Sequence, residues 1–380
     1  MRVFEDAKTK RQITQLTDVG NNVHMYFTEN SFDWQKPEII FRSDRAAPPK
    51  APHENPHYNI FKLNFLTGEL TQLTDEPEAV GSVTKTPDGS LIAYLVGQKV
   101  KLLETSTGKI RTLYEGENFN LNSPSISPNR QYIGFARNEK VAVANTGVNY
   151  SGFEENFHLV KDGRITVAQI DGSGFFDSYT DTHWVGHFQF SPDDSSIAMF
   201  CHEGPWNLVG QRIWILDFID RHARPCYRQI ESDAIGHEFW TRDGLIFFDN
   251  RGHGHDGTIT SDRTQAVATH VAVNQNPFKP YVGLVDRHNN LIRRLEMPFY
   301  CNHYHANPDS TQLIGDDLDE IVRIDISSET ASLEVLCQHG TSWHTQASHC
   351  HPTWSWDGQH MLYASDAGGK VNLYLMELES

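Results

Sequence analysis

The sequence predicts an all-β fold, a seven-bladed β-propeller, from a turn motif that recurs along its 380 residues. Each copy combines a small or polar residue with Asp or Asn and further polar residues, and it precedes a short apolar run typical of a buried strand. The turns lie at positions 35, 88, 129, 193, 243, 309 and 357. Their spacing of about 54 residues is typical of four-stranded blades, whereas a two-sheet sandwich or a pair of domains is the alternative.

The strand after each turn follows in chain order. The first turn, Trp34–Pro37, is degenerate, whereas the second, Thr86–Ser90, and the last, Trp356–Gly358, have clear turn chemistry. The predicted strands are Ile39–Phe41, Leu91–Tyr94, Tyr132–Phe135, Ile197–Phe200, Leu245–Phe248, Leu313–Ile314 and Met361–Tyr363. No linker-like segment interrupts the series, so residues 1–380 are predicted to form a single domain, with long loops at 44–57 and 251–281.

A repeated pentapeptide predicts how the ring closes. Thr14–Asp18 recurs word for word as Thr71–Asp75, where it follows a turn and therefore forms the outer strand of a blade. The chain ends after the apolar segment Val371–Leu378, and no such outer strand follows it. We therefore predict that the N-terminal copy completes the seventh blade, which pairs both termini and leaves no open edge in the ring.

Composition excludes several classes of function. The net charge of −17 disfavours binding to nucleic acid or to an anionic membrane. There is no apolar run long enough to span a bilayer, and the first residues contain no apolar core of a secretory signal. The five cysteines form no CxxC pair, which fits reduced thiols. We therefore expect a cytoplasmic protein that contacts neither nucleic acid nor membrane.

Histidine is over-represented, with 20 residues, most of them in the second half of the chain. In a propeller of this type the strand before each turn is the innermost and lines the central channel. Six residues before the turns of the last four blades stand histidines, and the first three blades have other polar residues there: Glu29, Ser82, Ser123, His187, His237, His303 and His351. Equal register means equal height around the axis, so the four imidazoles are predicted to meet at one mouth of the channel.

Such a cluster favours a metal site over a hydrogen-bonded channel lining. Neutral imidazole is the commonest protein ligand for divalent first-row metals. The segment Gln346–His351 offers His349, His351 and an amide oxygen, and His303 comes from the neighbouring blade. Three nitrogens and one oxygen without thiolate suit Mn²⁺, Fe²⁺, Ni²⁺ or Zn²⁺ better than a structural, cysteine-rich zinc site.

Two further residues suggest catalysis beside that metal. His237, on a separate blade, has the chemistry of a general base near a metal-bound substrate, and His187 at the same register is the alternative base. Arg212 follows a Gly-Pro turn and either caps the blade surface or grips a carboxylate.

Several segments together resemble one known family. Cys201–Trp214, His237–Trp240, Cys301–His303, Thr341–Trp343 and Gln346–Pro352 are similar to the oligogalacturonate lyases, cytoplasmic seven-bladed propeller enzymes of pectin breakdown. The resemblance implies a metal, usually manganese, bound by His303, Gln346, His349 and His351. It also implies His237 as the base and Arg212 as the catalytic arginine. His187 and His202 are predicted to bind substrate.

The resemblance implies a lyase that cleaves short oligogalacturonides by β-elimination, with an anionic oligosaccharide as its partner. Removal of the C5 proton of a uronate is hard because the adjacent C6 carboxylate is already anionic, and a divalent cation offsets that charge. The first half departs from the family, above all at 44–57 and 145–180, as does 251–281, so another uronate substrate is an alternative. A metal-dependent isomerase or hydrolase, or a non-catalytic propeller that binds sugar or peptide, would also fit these residues.

Overall fold

The computed structural model describes residues 1–252, 254–259 and 279–378, and these residues form seven antiparallel sheets. Each sheet is one blade of a propeller, which confirms the predicted fold class. The first strands of blades 2 to 5 contact one another in order, as do those of blades 6 and 7, so they form the inner edges of these blades, as predicted. Most of the predicted loop at 251–281 lies outside the described residues.

The first four blades each contain four strands in chain order. Blade 1 has β3 to β6, at Asn22–Val23, Glu38–Ser43, Asn59–Asn64 and Leu70–Gln72. Blade 2 has β7 to β10, at Val80–Lys85, Leu91–Val96, Lys99–Glu104 and Lys109–Glu115. Blade 3 has β11 to β14, at Phe119–Ile126, Tyr132–Glu139, Gly163–Gln169 and Phe175–Asp181. Blade 4 has β15 to β18, at Val185–Phe190, Ile197–His202, Ile213–Asp217 and His222–Pro225.

The last three blades follow the same order. Blade 5 has β19 to β22, at Ile235–Trp240, Ile246–Asn250, Tyr281–Val285 and Leu291–Glu296. Blade 6 has β23 to β26, at Tyr304–Ala306, Gln312–Asp316, Glu320–Asp325 and Ser332–Gln338. Blade 7 joins β27 to β29, at Thr353–Trp354, His360–Ser365 and Asn372–Glu377, to two N-terminal strands, β1 at Arg2–Glu5 and β2 at Gln12–Gln15. Helix α1 is Phe153–Leu159, and short 3₁₀ turns occupy Pro52–Glu54 and Gln346–Ser348.

The turn motif has a local chemical cause. A hydroxyl two residues before the aspartate bonds its carboxylate, as from Thr86 Oγ1 to Asp88 Oδ1 and from Thr241 Oγ1 to Asp243 Oδ1, both at 2.6 Å. The side chain thus takes the place of a backbone partner in the tight turn. The predicted strands after the turns are therefore found where the motif placed them.

The ring closes by the predicted strand pairing. Thr14 of β2 pairs with Leu375 of β29, which makes β2 the fourth strand of blade 7. Strand β1 was not predicted from the sequence; it is a fifth and outermost strand that pairs with β2. Phe4 of β1 packs edge-on against Tyr374, with ring centroids 6.3 Å apart, and this contact holds the short, mostly exposed strand on the sheet.

The core of the described residues is divided into seven apolar clusters, one between each pair of adjacent blades. Ile40 of blade 1 and Ile92 of blade 2, for example, share one cluster, whereas Phe41 of blade 1 and Leu373 of blade 7 share another. Both faces of most blades are therefore buried, which explains the nearly continuous apolar runs of the second and third strands. Among the described residues no helix is long and apolar enough to cross a bilayer.

Candidate functional site

A repeated backbone irregularity orients the channel-lining residues. The pairing of the first strand with the second shifts by a bulge at the same register in blades 3, 4 and 5. The residue inside each bulge has a left-handed φ, 49° at Ser123, 47° at His187 and 47° at His237, and His351 of blade 7 has 43°. This conformation costs a residue with a Cβ roughly 1–2 kcal/mol, and such strain is concentrated at functional sites.

The four histidines of equal register meet around one aromatic side chain. The ring of Phe27, which is buried, has its centroid 5.7 Å from that of His187, 5.3 Å from His237, 5.6 Å from His303 and 6.4 Å from His351. The predicted convergence is therefore observed. Phe27 therefore packs against all four imidazoles.

Three of the histidines form a compact set of donors. One ligand nitrogen from each of His303, His349 and His351 lies within 4.8 Å of the other two. All three side chains are buried, and burial lowers the pKa of each imidazole well below its usual value. The three rings are thus neutral near neutral pH, the state in which imidazole binds a metal.

The hydrogen bonds of these three histidines leave one nitrogen of each ring free to bind a cation. Asp316 Oδ2 lies 3.0 Å from His303 Nδ1, which leaves Nε2 of that ring for a ligand. His349 Nδ1 and His351 Nε2 are buried without a hydrogen-bond partner among the described residues. A buried polar atom left unpaired costs about 1–3 kcal/mol, and a divalent cation would satisfy both nitrogens. The residues present therefore fit the implied metal.

The fourth predicted ligand and one unpredicted side chain border the same donors. Gln346 is exposed and lines the cavity, and none of the described residues hydrogen-bonds its amide group. Asn149 Nδ2 lies 2.7 Å from His349 Nε2. Asn149 belongs to an insertion between β12 and β13 that crosses from blade 3 to blade 7, where its backbone N–H bonds His344 O at 3.0 Å. No role at the metal was predicted from the sequence for residues 145–180.

His237 is held by charged neighbours. Its Nδ1 lies 3.3 Å from Asp249 Oδ1, and the buried Arg251 places Nη2 3.4 Å from the same nitrogen. Burial, with the charges of Arg251 and Arg212, lowers the pKa of His237 well below its usual value, so the ring is neutral and can accept a proton. The ring of Trp206 packs edge-on against it at 4.9 Å between centroids.

The position of Trp206 requires a glycine. A Cβ added to Gly236, the residue before His237, would lie 1.9 Å from the indole of Trp206. Gly236 therefore admits the close approach of the two blades that brings Trp206 over His237. Trp206 was not among the predicted site residues, although the Gly-Pro turn before it marks the loop that carries it.

Arg212 is almost entirely buried, with 1% of its surface exposed, and two carboxylates fix it. Its Nε donates to Glu238 Oε2 at 2.7 Å and its Nη1 to Glu203 Oε1 at 3.2 Å. Although burial opposes it, the Arg212 guanidinium holds the pKa of Glu238 below its ordinary value. Arg212 lines the cavity, and its Nη2 has no hydrogen-bond partner among the described residues. One edge of the fork is thus available to a ligand.

The two histidines predicted to bind substrate have different surroundings. His187 lines the cavity, and its Nδ1 lies 2.7 Å from Glu238 Oε1. The structure does not bring His202 into that cavity: its Nε2 lies 3.3 Å from Asp181 Oδ2, and its ring stacks on His183 at 4.3 Å. His202 lies at the end of the second strand of blade 4, and alternation along that strand directs it toward the surface of blade 3.

These residues share one cavity of about 770 Å³, large enough for an oligosaccharide of a few sugar units. Its lining includes the three donor histidines, the predicted base and arginine, and two aromatic rings: His303, His349, His351, His237, Arg212, Tyr26 and Trp206. Neutral imidazoles, a buried arginine and aromatic walls together suit an anionic sugar more than an apolar ligand.

Comparison with known proteins finds similarity to oligogalacturonate lyases. A family model described as oligogalacturonate lyase matches residues 153–334. An oligogalacturonate lyase of Dickeya dadantii is 27% identical over 402 aligned positions, which cover 99% of this chain and 95% of that protein. An oligogalacturonide lyase of Pectobacterium atrosepticum is 26% identical over 218 residues, 52% of this chain and 51% of that protein, so that match spans about half the length of the relative.

Solved structures show the same fold. An oligogalacturonate lyase in complex with manganese superposes with a TM-score of 0.82 at 20% identity and covers 100% of this chain and 96% of its own. An oligogalacturonate lyase from Vibrio parahaemolyticus gives a TM-score of 0.81 at 19% identity, with 100% and 97% covered.

Proposed function

We propose, from the similarity of this chain to oligogalacturonate lyases, that it is a metal-dependent lyase of short oligogalacturonides. One observation carries the metal dependence: the unpaired nitrogens of His349 and His351 lie beside His303 in the cavity that also contains His237 and Arg212. A donor set and a base that share one cavity are what β-elimination from a uronate requires.

His303, His349 and His351 would hold the metal, and the exposed amide of Gln346 would add an oxygen. Three imidazoles with an amide oxygen suit a first-row divalent ion, and we assign Mn²⁺ because a similar structure is an oligogalacturonate lyase in complex with manganese. When bound, the cation supplies positive charge against the C6 carboxylate of the uronate, the group that makes the C5 proton hard to remove.

His237 is the proposed base. The ring is neutral, and its Nδ1 faces both Asp249 Oδ1 and Arg251 Nη2. In the tautomer that carries its proton on Nδ1, toward Asp249, Nε2 is the nitrogen that accepts the C5 proton. The electrons of the C5–H bond form the C4–C5 double bond, and the C4–O bond breaks. The glycosidic oxygen leaves with the electron pair of the C4–O bond and takes up a proton from water, which gives a 4,5-unsaturated uronate and a new reducing end.

His187 is less suited to this role. Its two ring nitrogens lie 2.7 Å from Glu238 Oε1 and 3.5 Å from Glu203 Oε2, so both face carboxylates. An imidazole whose two nitrogens both face carboxylates is held in place and has no ring nitrogen turned toward a substrate proton. We therefore assign His187 to substrate binding and to fixing the two glutamates that hold Arg212.

Arg212 is proposed to bind an oxygen of the substrate through Nη2. Because Glu203 and Glu238 fix the other edge of its guanidinium, the donor is already oriented before the substrate arrives. The aromatic rings of Tyr26 and Trp206 border the same space and exclude water from it.

Absorbance measurements test the reaction type. The protein is stripped of metal with a chelator, reloaded with Mn²⁺ and mixed with digalacturonate, and the ultraviolet absorbance of the conjugated product is followed with the reducing ends. We expect both signals to rise together, and only in the metal-loaded protein. A rise in reducing ends without absorbance would indicate a hydrolase, and no change in either would indicate a binding protein; both results contradict the proposal.

The cellular location is proposed from the cysteines. All five are free and buried in the structure, which supports a reducing compartment such as the cytoplasm. The partner is an anionic oligosaccharide, and the net charge of −17 argues against nucleic acid.

A further inference from the structure

Arg42, in β4 of blade 1, lines the cavity without an acidic partner among the described residues. Its Nη1 donates to Val80 O at 3.3 Å, and its guanidinium lies 5.4 Å from the ring centroid of Tyr58. Arginine remains charged in proteins, even though burial lowers the pKa of Arg42. A half-buried cation with no carboxylate beside it is costly, unless a ligand brings the negative charge.

The neighbours of Arg42 also have unused polar groups. His24 Nδ1 and the hydroxyl of Tyr58 are buried without hydrogen-bond partners among the described residues. His24, Arg42 and Tyr58 all line the cavity. These two groups and the free part of the Arg42 guanidinium are available to hydrogen-bond one ligand in this part of the cavity.

This region adjoins the donor histidines. The ring centroid of His24 lies 6.2 Å from that of His351, and its Nε2 is 3.0 Å from Cys350 O. Arg42 pairs with Val23 across β3 and β4, so it lies beside His24, the next residue along the chain. A sugar bound at the three donor histidines would thus have Arg42 beyond one end.

The two arginines of the cavity differ in how much of each guanidinium is free to bind a ligand. Arg212 is neutralised by Glu203 and Glu238, and only its Nη2 remains. In Arg42, one nitrogen bonds a backbone carbonyl and the rest of the fork has no hydrogen-bond partner among the described residues. Arg212 can therefore position a group, whereas Arg42 can bind a carboxylate through two parallel hydrogen bonds.

We propose that Arg42 binds the carboxylate of a second uronate unit, next to the unit held at the donor histidines. The inference rests on the proposed function and deepens it, since it makes two adjacent carboxylates the feature that the cavity recognises. Each unit of an oligouronate carries one carboxylate, so a monouronate leaves Arg42 unpaired. Esterification of the second carboxylate removes the charge that Arg42 binds.

The experiment measures binding without turnover. The variant His237→Ala, loaded with Mn²⁺, is titrated calorimetrically with galacturonate and with digalacturonate. The same titrations are made with the double variant that also carries Arg42→Ala. Loss of a charged hydrogen-bond pair typically weakens binding about 10- to 100-fold, and we expect that loss for digalacturonate. The affinity for galacturonate should change by less than about twofold, because no second carboxylate is present.

Arg45 provides the matched control. It lies three residues further along the chain, and its guanidinium stacks on Phe41 and Phe61 at 5.6 and 5.4 Å. It donates to Asn22 Oδ1 and is not part of the cavity lining. Arg45→Ala should leave the affinity for digalacturonate unchanged. Arg42→Lys keeps the charge and most of the packing on Tyr58 but lacks the forked pair of donors, so it should still lose most of the affinity that Arg42 adds for digalacturonate.

Three results would overturn the inference. The first is equal affinity for digalacturonate with and without Arg42→Ala, and the second is an equal loss for galacturonate, which would place Arg42 at the first unit. The third is failure of the parent variant, with Arg42 intact, to bind any galacturonide, which contradicts the proposed function itself. Thermal melting of each variant distinguishes a lost contact from a lost fold, and Arg42→Lys keeps the test open if Arg42→Ala unfolds.

Discussion

The carboxylate of Asp316 offers a direct test of the metal site, since it orients a ligand without being one. Asp316 is fully buried in blade 6; its Oδ1 accepts a hydrogen bond from the backbone N–H of His303, and its Oδ2 lies 3.0 Å from Nδ1 of that ring, where the ionised carboxylate accepts the ring proton in a hydrogen bond. This arrangement keeps the proton of the ring on Nδ1 and the lone pair on Nε2, where a metal would bind. The substitution Asp316→Asn preserves the shape of the side chain and removes one of its two acceptors.

The expected loss of metal affinity follows from those two hydrogen bonds. In the Asp316→Asn variant the single amide oxygen, if it stays with the backbone N–H, leaves the NH₂ group facing His303 Nδ1. That nitrogen must then accept, which moves the ring proton to Nε2 and removes the lone pair from the ligand position. Changes to such supporting residues typically weaken metal binding about 10- to 100-fold, or roughly 1.4–2.7 kcal/mol.

Calorimetric titration of the metal-free protein with Mn²⁺ measures this loss directly. The control is Asp325→Asn, which changes a carboxylate at the end of β25 in the same blade, where it accepts hydrogen bonds from Ser327. The Mn²⁺ affinity of Asp325→Asn should equal that of the unmodified protein. An Asp316→Asn protein that melts normally and binds Mn²⁺ within about twofold of the unmodified protein would refute the role of Asp316 and the ligand position of His303.

Three further predictions concern the side chains of the cavity. Changing His349 and His351 together to Ala should abolish bound metal with the fold intact, and full metal occupancy by elemental analysis would contradict the site. Arg212→Lys should lose most of kcat/KM on digalacturonate because lysine lacks the fork, and near-normal kinetics would reduce Arg212 to a structural role. His237→Ala should lower kcat by about 10²–10⁴-fold at unchanged metal content. If His237→Ala kept its activity and His187→Ala lost it, His187 would be the base and His237 the substrate-binding residue.

Much of the fold can be predicted from short sequence motifs. The Pro-Asp and Asp-Gly turns specify where strands begin, because the hydroxyl and carboxylate bonds that make them are formed within a few residues, as at Thr86 and Asp88. The repeat of Thr14–Asp18 also predicted ring closure, since two copies of one motif occupy equivalent strands. The extra strand β1 was missed because its four residues, mostly exposed, have no apolar face to reveal them.

The convergence of the histidines was also predictable. Equal register in a repeated unit becomes equal height in the ring, so His187, His237, His303 and His351 could be brought together by counting alone. The ring contacts of all four with Phe27 agree with that count. Counting did not reveal that several of these positions have a left-handed φ, because no sequence signal separates a bulged histidine from a regular one.

The sequence by itself thus determined the blade number, the closure and the register of the histidines, all of which depend on short-range chemistry repeated along the chain. Only the tertiary structure decided which charges are paired. Arg212 is neutralised by Glu203 and Glu238, and Arg42 faces the cavity without an acidic partner among the described residues. The same applies to His202, which alternation along β16 directs to Asp181. Ion pairing and burial depend on which side chains of different blades meet, and one-dimensional spacing does not specify that.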